Sequence, residues 1–124
     1  MNRLALLALS LLAGCAHAPA IRPHDLLAAP TASEGKRVTV RGYLRFGDDA
    51  RGLWQSKQAY RDFTPRAPSA CLTLFNAGAF RTQLLARDNS IVTLVATVRT
   101  LHLGPDEIAL GWCNDTGLMI EKIR

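Results

Sequence analysis

The clearest pattern in the chain is an alternation of apolar and polar residues from Arg37 to Phe46. Period-two alternation rich in β-branched and aromatic residues predicts a strand with one buried face. The predicted inward set is Val38, Val40, Gly42, Leu44 and Phe46, and the outward set is Arg37, Thr39, Arg41, Tyr43 and Arg45. A glycine in the middle of such a strand predicts a bulge or sharp coiling, by which small barrels bend a long first strand.

Turn residues separate this strand from several shorter extended segments. The connection 47–52 predicts a hairpin to the second strand, because it begins and ends in glycine and carries two aspartates. The further segments expected to be extended are Leu53–Gln55, Ala70–Phe75, Ile91–Leu101, Glu107–Cys113 and Leu118–Ile123. The inward residues of the segment that starts at Ile91 are Val92, Leu94, Ala96 and Val98. The pattern therefore predicts five or six strands.

Helical signals are weaker and shorter. His24 to Ala29 predicts one helical turn that packs Leu26 and Leu27 onto the domain, and Pro30 ends it. Ser56 is expected to cap a short turn that runs to Tyr60. A longer helical stretch follows Asn76–Gly78 and continues to about Ala86, where Phe80 and Leu84 stand four apart and share a buried stripe.

The first fourteen residues have the composition of a targeting segment. A basic residue, Arg3, precedes a mainly apolar run from Leu4 to Leu12, which is shorter than the roughly 20 residues of a permanent membrane span. The run ends on Leu12-Ala13-Gly14-Cys15, which resembles the lipobox of bacterial lipoproteins. The resemblance implies cleavage before Cys15 and acylation of its thiol. The alternative is an ordinary secretory signal with an incidental cysteine.

This interpretation divides the chain into a signal peptide (1–14), a lipidated tether with a short helix (15–29) and one globular domain (30–124). Two or more acyl chains make anchoring stable. Residue 16 is Ala rather than the Asp that marks inner-membrane retention in enteric bacteria. By resemblance to that sorting rule, we expect an outer-membrane anchor with the domain in the periplasm, in preference to the inner membrane.

With Cys15 assigned to lipid, Cys71 and Cys113 are the remaining cysteines. In an oxidising envelope compartment, two cysteines in a small domain form a disulfide more often than a redox or metal site. We therefore predict the Cys71–Cys113 bridge, with two free buried thiols as the alternative.

The order of elements resembles an OB-fold barrel: a long, glycine-kinked first strand, a hairpin partner, a third strand, a helix and two closing strands. The stretch Gly35-Lys36-Arg37-Val38-Thr39-Val40-Arg41-Gly42-Tyr43-Leu44 is followed by Gly52-Leu53-Trp54-Gln55-Ser56-Lys57. Both resemble segments of uncharacterised, OB-like bacterial envelope proteins. The expected fold is mainly β: a small five- or six-stranded OB-like barrel with one helix between strands 3 and 4. The resemblance carries no activity with it.

The excess of basic residues in the chain favours anionic ligands. The chain carries 15 basic and 10 acidic residues, and loss of Arg3 with the signal peptide leaves an excess that fits anionic partners. Phospholipid, lipopolysaccharide and cell-wall polymer are the anionic components of an envelope, where nucleic acid is not expected. Arg37, Arg41, Tyr43 and Arg45 on the outward face of the first strand, with nearby Trp54, are the candidate ligand-binding residues. The alternative is an ordinary solvated strand face.

Other aromatic residues have two interpretations as well. Trp54 and Trp112 could line a groove or serve as packing in a small domain. Tyr60 and Phe63 could form an exposed aromatic loop or cover the mouth of the barrel.

No catalytic pattern stands out. The histidines at 17, 24 and 102 lack metal-ligand spacing, and Cys71 with His102 lacks an orienting third residue. We therefore expect no enzyme activity, no metal and no cofactor. The leading hypothesis is a non-enzymatic lipoprotein whose domain binds an anionic envelope component or a protein. The alternative is a structural accessory subunit that docks on an outer-membrane protein complex.

Overall fold

Five strands close into a barrel in the computed structural model, which describes residues 20–47, 50–63, 70–102, 104–107 and 111–124. The strands are β1 (Arg37–Phe46), β2 (Arg51–Trp54), β3 (Cys71–Leu74), β4 (Ser90–Thr100) and β5 (Thr116–Ile123). The helices are α1 (Pro23–Ala28), α2 (Pro30–Ser33), α3 (Lys57–Arg61) and α4 (Arg81–Arg87), and a 3₁₀ turn (Ala77–Phe80) leads into α4.

The strands follow one another around the barrel in the order β1-β2-β3-β5-β4, and β4 pairs with β1 to close it. All neighbours are antiparallel except β3 and β5, which are parallel. A long first strand shared by two neighbours, with α4 between β3 and β4, makes this an OB-like barrel. The predicted fold class is confirmed, with five strands.

The barrel interior is built from the predicted inward residues. On β1 the side chains of Val40, Leu44 and Phe46 are buried, while Val38 is half-buried near the start of the strand. All four predicted inward residues of β4 are buried. Leu84 of α4 and Leu26 of α1 belong to the same cluster, so helices from both parts of the chain complete it. The pairing of β1 with β4 is continuous across Gly42, so no bulge lies at the glycine where one was predicted. The register shift occurs instead between Val95 and Ala96, in the pairing of β4 with β5.

The segment before β1 is packed onto the barrel and is not a loose tether. The Ile21 N–H donates to the Thr39 carbonyl at 3.0 Å, and the Arg41 N–H donates to the Ile21 carbonyl at 2.9 Å. Pro23 is buried, and α1 buries Leu26 and half-buries Leu27, as predicted. Within the predicted tether (15–29), the described residues from Ile21 onward are therefore packed on the barrel, because backbone pairing with β1 begins at Ile21.

Two segment boundaries near the end of the chain differ from the prediction. Glu107 and residues 111–113 are not in a strand, and residues 108–110 lie outside the described part. The last strand begins at Thr116 and not at Leu118, because Gly117 pairs with Thr73 of β3. Alternation along one segment cannot reveal this parallel pairing between strands far apart in sequence.

Residues 1–19, with the predicted signal peptide and Cys15, also lie outside the described residues. Within the described ranges, no helix is long and apolar enough to cross a membrane.

Candidate functional site

A second buried cluster lies on the outer side of the barrel wall. It consists of Tyr43, Trp54 and Cys71, with Tyr60 and Cys113 packed against it. Tyr43 lies on the predicted outward side of β1, but only 3% of its surface is exposed. Tyr43 therefore has the predicted outward direction but is not open to solvent, because side chains from β2 and α3 cover it. Its hydroxyl donates a hydrogen bond to Asn89 Oδ1.

Strand register and one short helix assemble this cluster. Trp54 of β2 pairs directly with Tyr43 of β1. Ser56 caps α3, since its Oγ accepts the Ala59 N–H at 3.1 Å, and α3 then places Tyr60 5.2 Å from Trp54 between ring centroids. Phe63 follows the helix at 5.1 Å from Trp54. Both contacts are edge-to-face, the arrangement that aromatic quadrupoles favour.

Two connections attach the segment before β5 to β3. The Cys71–Cys113 disulfide, with its Cα atoms 6.1 Å apart, is present as predicted. The buried Thr73 hydroxyl accepts the N–H groups of Cys113 and Asn114, both at 3.1 Å, and donates to the Asn114 carbonyl at 2.7 Å. This attachment holds Trp112, whose ring lies 4.9 Å from Phe75.

A cavity of about 500 Å³ opens beside the cluster, and we call it the outer pocket. Its volume falls in the range of small-molecule sites, roughly 300 to 1,000 Å³. It is lined by Arg45, Gly47, Ala50, Arg51, Gly52, Trp54, Tyr60, Phe63, Gly111, Trp112 and Cys113. The β2 strand and the segments after β1 and before β5 therefore meet here, at the surface where OB folds bind oligonucleotides and oligosaccharides.

Two glycines give the outer pocket its shape. A Cβ on Gly52 would lie 2.5 Å from Cys71 Sγ and 3.1 Å from Trp54 Nε1, so any side chain there would displace the disulfide or the indole. Gly111 has a φ of +80°, which side chains disfavour, and its Cα faces the aliphatic stem of Arg51. The shape of the pocket therefore depends on glycine at both positions, at Gly52 for lack of space and at Gly111 for its positive φ.

Two guanidinium groups line the outer pocket. Arg45 stacks over Tyr60, with Cζ 4.8 Å from the ring centroid, and its Nε lies 3.3 Å from Asp88 Oδ1. The Tyr43 hydroxyl raises the pKa of Arg45 most, and the charge of Asp88 raises it further. Burial lowers this pKa, but by less, so the guanidinium stays charged. Arg51 is exposed and makes no ion pair with any described residue.

Two buried polar atoms of the described residues have no hydrogen-bond partner, and both belong to residues of the outer pocket. They are Trp54 Nε1 and Arg45 Nε, and the second is ion-paired with Asp88 Oδ1 at 3.3 Å. Buried donors in native proteins are nearly always paired with protein, water or a ligand. Of the two, only Trp54 Nε1 lacks any polar partner among the described residues.

The structure separates the predicted ligand-binding residues. Arg45 and Trp54 line the outer pocket, and Tyr43 lies beneath it. Arg37 is at the other end of β1, where its Nε donates to Glu121 at 2.6 Å and lowers the pKa of that carboxyl. Arg41 is exposed beside Ile21 and is not among the lining residues.

Arg51 was missed as a site residue. The hairpin register could not have found it, because Arg51 pairs with Phe46, whose side chain packs in the barrel core on the face opposite to Arg45. Trp112, Tyr60 and Phe63 were recognised only as aromatics of uncertain use. Their convergence depends on the disulfide and on α3, which no local pattern places next to β2.

A second cavity, of about 620 Å³, lies among α2, the end of β4 and the start of β5. Within it, His102 Nδ1 lies 3.6 Å from Asp115 Oδ2. No group of three or more potential metal ligands occurs among the described residues. The outer pocket, with its two arginines and its aromatic rings, is therefore the stronger candidate site.

The chain has no significant match to a protein-family model, to a curated protein or to a solved structure.

Proposed function

We propose that this protein is a lipid-anchored envelope protein whose OB-like barrel binds an anionic envelope component in the outer pocket, without catalysing a reaction. Its anchor is Cys15, which follows the sequence Leu12-Ala13-Gly14. In this proposal the anchor belongs to the outer membrane, and the barrel faces the periplasm.

The observation that carries the proposal is the meeting of two arginines in one aromatic pocket, where Arg51 has no ion pair with any described residue. A planar guanidinium matches carboxylate and phosphate oxygens with two parallel hydrogen bonds. The rings of Phe63 and Trp112 add apolar surface against which a sugar or acyl-glycerol group packs. No carboxylate belongs to the described lining, and Asp88 beside it is paired with Arg45, so Arg51 is the guanidinium left to pair with an anion.

The fixed position of the Arg45 side chain adds to the affinity of the pocket for a ligand. Arg45 is held between Tyr60 and Asp88, and Asp88 is itself held because its Oδ1 accepts the Phe46 N–H at 2.9 Å. A side chain that is already ordered loses little conformational entropy when a ligand binds. Arg51 supplies the charge that is free to pair with the ligand.

A charge-reversal comparison tests this function. The mature chain with Cys15→Ser is immobilised and incubated with separated phospholipid, lipopolysaccharide and cell-wall fractions of a bacterial envelope. We expect one anionic fraction to bind and Arg51→Glu to weaken that binding at least about tenfold, since a charged hydrogen bond is replaced by repulsion. Arg81→Glu makes the same charge change on α4, away from the lining, and should keep most of the binding.

Equal loss in both variants would mean that net charge alone attracts the fractions, and would contradict the role of the pocket. Retention of a stoichiometric protein partner, unaffected by Arg51→Glu, would instead favour an accessory subunit of a protein complex.

A further inference from the structure

The chain enters the barrel at a fixed point. Ile21 is held by backbone hydrogen bonds to Thr39 and Arg41 on the edge of β1. The Arg22 guanidinium donates to the Gln55 carbonyl, and the His24 N–H donates to Gln55 Oε1 at 2.8 Å. The segment that leads to the proposed lipid anchor is therefore attached to both β1 and the residue after β2.

The distance from anchor to barrel is limited by covalent geometry. Six residue steps separate Cys15 from Ile21. At an upper limit of about 3.5 Å per residue, Ile21 can lie no more than about 20 Å from Cys15. The polar headgroup region of a bilayer is itself about 5 to 7 Å deep on each side. If Cys15 is lipidated, this edge of β1 stays close to the headgroups.

The outer pocket lies near the same point. Arg41, which hydrogen-bonds to Ile21, and Arg45, which lines the pocket, are four residues apart on one face of β1. At about 3.3 Å per residue, their Cα atoms are about 13 Å apart. Arg41 is exposed and has no ion pair with any described residue, so it adds a cation between the anchor and the pocket.

We propose that the outer pocket binds the phosphate of an anionic lipid headgroup in the membrane that carries the anchor. The proposal rests on the function proposed above, and it names the source of the ligand. A phosphate diester offers acceptor oxygens to the guanidinium groups of Arg51 and Arg45, and the glycerol beside it packs on the aromatic rings. The short connection keeps the pocket at the concentration of the headgroups, so even modest affinity gives high occupancy.

Tryptophan fluorescence gives a local readout, because the chain has two tryptophans and both line the outer pocket. The mature chain with Cys15→Ser is titrated with phosphatidylcholine vesicles, with and without phosphatidylglycerol. We expect a saturable change with the phosphatidylglycerol vesicles alone. Arg51→Ala should weaken it about tenfold, and Arg51→Lys should also weaken it, since an ammonium lacks the planar fork. Arg81→Ala should stay within about twofold.

Several outcomes would overturn the proposal. If Arg51→Ala and Arg81→Ala weaken vesicle binding equally, charge alone attracts the membrane. If glycerol phosphate in solution saturates the signal as readily as the vesicles do, the ligand is a free phosphate ester. If an acidic polysaccharide binds and vesicles do not, the headgroup proposal fails while the proposed function stands. If none of the three binds, both fail.

Discussion

Thr73 is a buried polar residue at the back of the outer pocket. Its hydroxyl makes three hydrogen bonds to the backbone of Cys113 and Asn114, which continue into the pocket wall at Trp112. Burial of a hydroxyl costs free energy unless it is hydrogen-bonded, so this arrangement is stable only when all partners are present. The Thr73 hydroxyl oxygen on β3 therefore positions the segment that forms the wall of the outer pocket at Trp112 and Cys113.

We predict that Thr73→Val destabilises the fold and weakens ligand binding. Valine keeps the shape but removes the oxygen that accepts two N–H groups, which should lower the free energy of unfolding by about 2 to 3 kcal/mol. Urea unfolding measures this change. Thr73→Ser keeps the hydroxyl and is the matched control. If valine and serine have the same midpoint, the hydroxyl does not hold the wall.

Single residues also mark the limit of prediction from sequence. Alternation placed Val40 inward and Arg45 outward, and both placements hold. It placed Tyr43 outward as well, but could not foresee that Trp54 and Tyr60 bury it. Which face of a strand a residue occupies is local information, whereas what covers that face comes from elements distant in sequence.

At the scale of elements, the segment between Gly111 and Asn114 has no regular structure of its own. The Cys71–Cys113 disulfide and Thr73 attach it to β3, and the aliphatic stem of Arg51 packs against it. The sequence pattern predicted an extended element here because Trp112 and Cys113 are apolar. The observed shape follows instead from these tertiary contacts, which periodicity does not encode.

We predict that the double variant Cys71→Ala and Cys113→Ala folds but is less stable. The bridge closes 42 residues, so its loss should cost up to about 4 kcal/mol by the entropy of the unfolded chain. Urea midpoints of the variant and of the parent protein, each with Cys15→Ser, measure the difference. An unchanged midpoint would mean that the bridge adds no stability. Under the proposed function, headgroup binding should also weaken, since Cys113 lines the pocket.

Elements that pack on the barrel were predicted with mixed success. The one helical turn near His24, with Leu26 on its buried face, and the Ser56 cap of α3 both appear as expected. Ile21 was assigned to a tether because prolines and small residues surround it. Its pairing with Val40 could not be read from that composition, since an isolated bridge has no repeating pattern.

At the scale of the whole molecule, the strand order explains why the site lies where it does. β1 pairs with β4 along most of its length and with β2 only near its end, where Arg45 and Phe46 are. The end of β1, the start of β2 and the segment before β5 therefore converge on one side of the barrel. Ile21, six residues after the proposed anchor, pairs with Val40 of the same strand, so the site and the start of the described chain share β1.

The most direct test of the whole account is the intact mass of the full-length protein after photo-crosslinking in the membrane. The protein carries p-benzoylphenylalanine in place of Phe63, which is 39% exposed at the outer pocket, or in place of Leu85 on α4 as the control. We predict a chain that begins at Cys15, bears acyl groups, and gains the mass of a phosphate-bearing lipid only from position 63. An unacylated chain, or equal lipid adducts from both positions, would contradict the account.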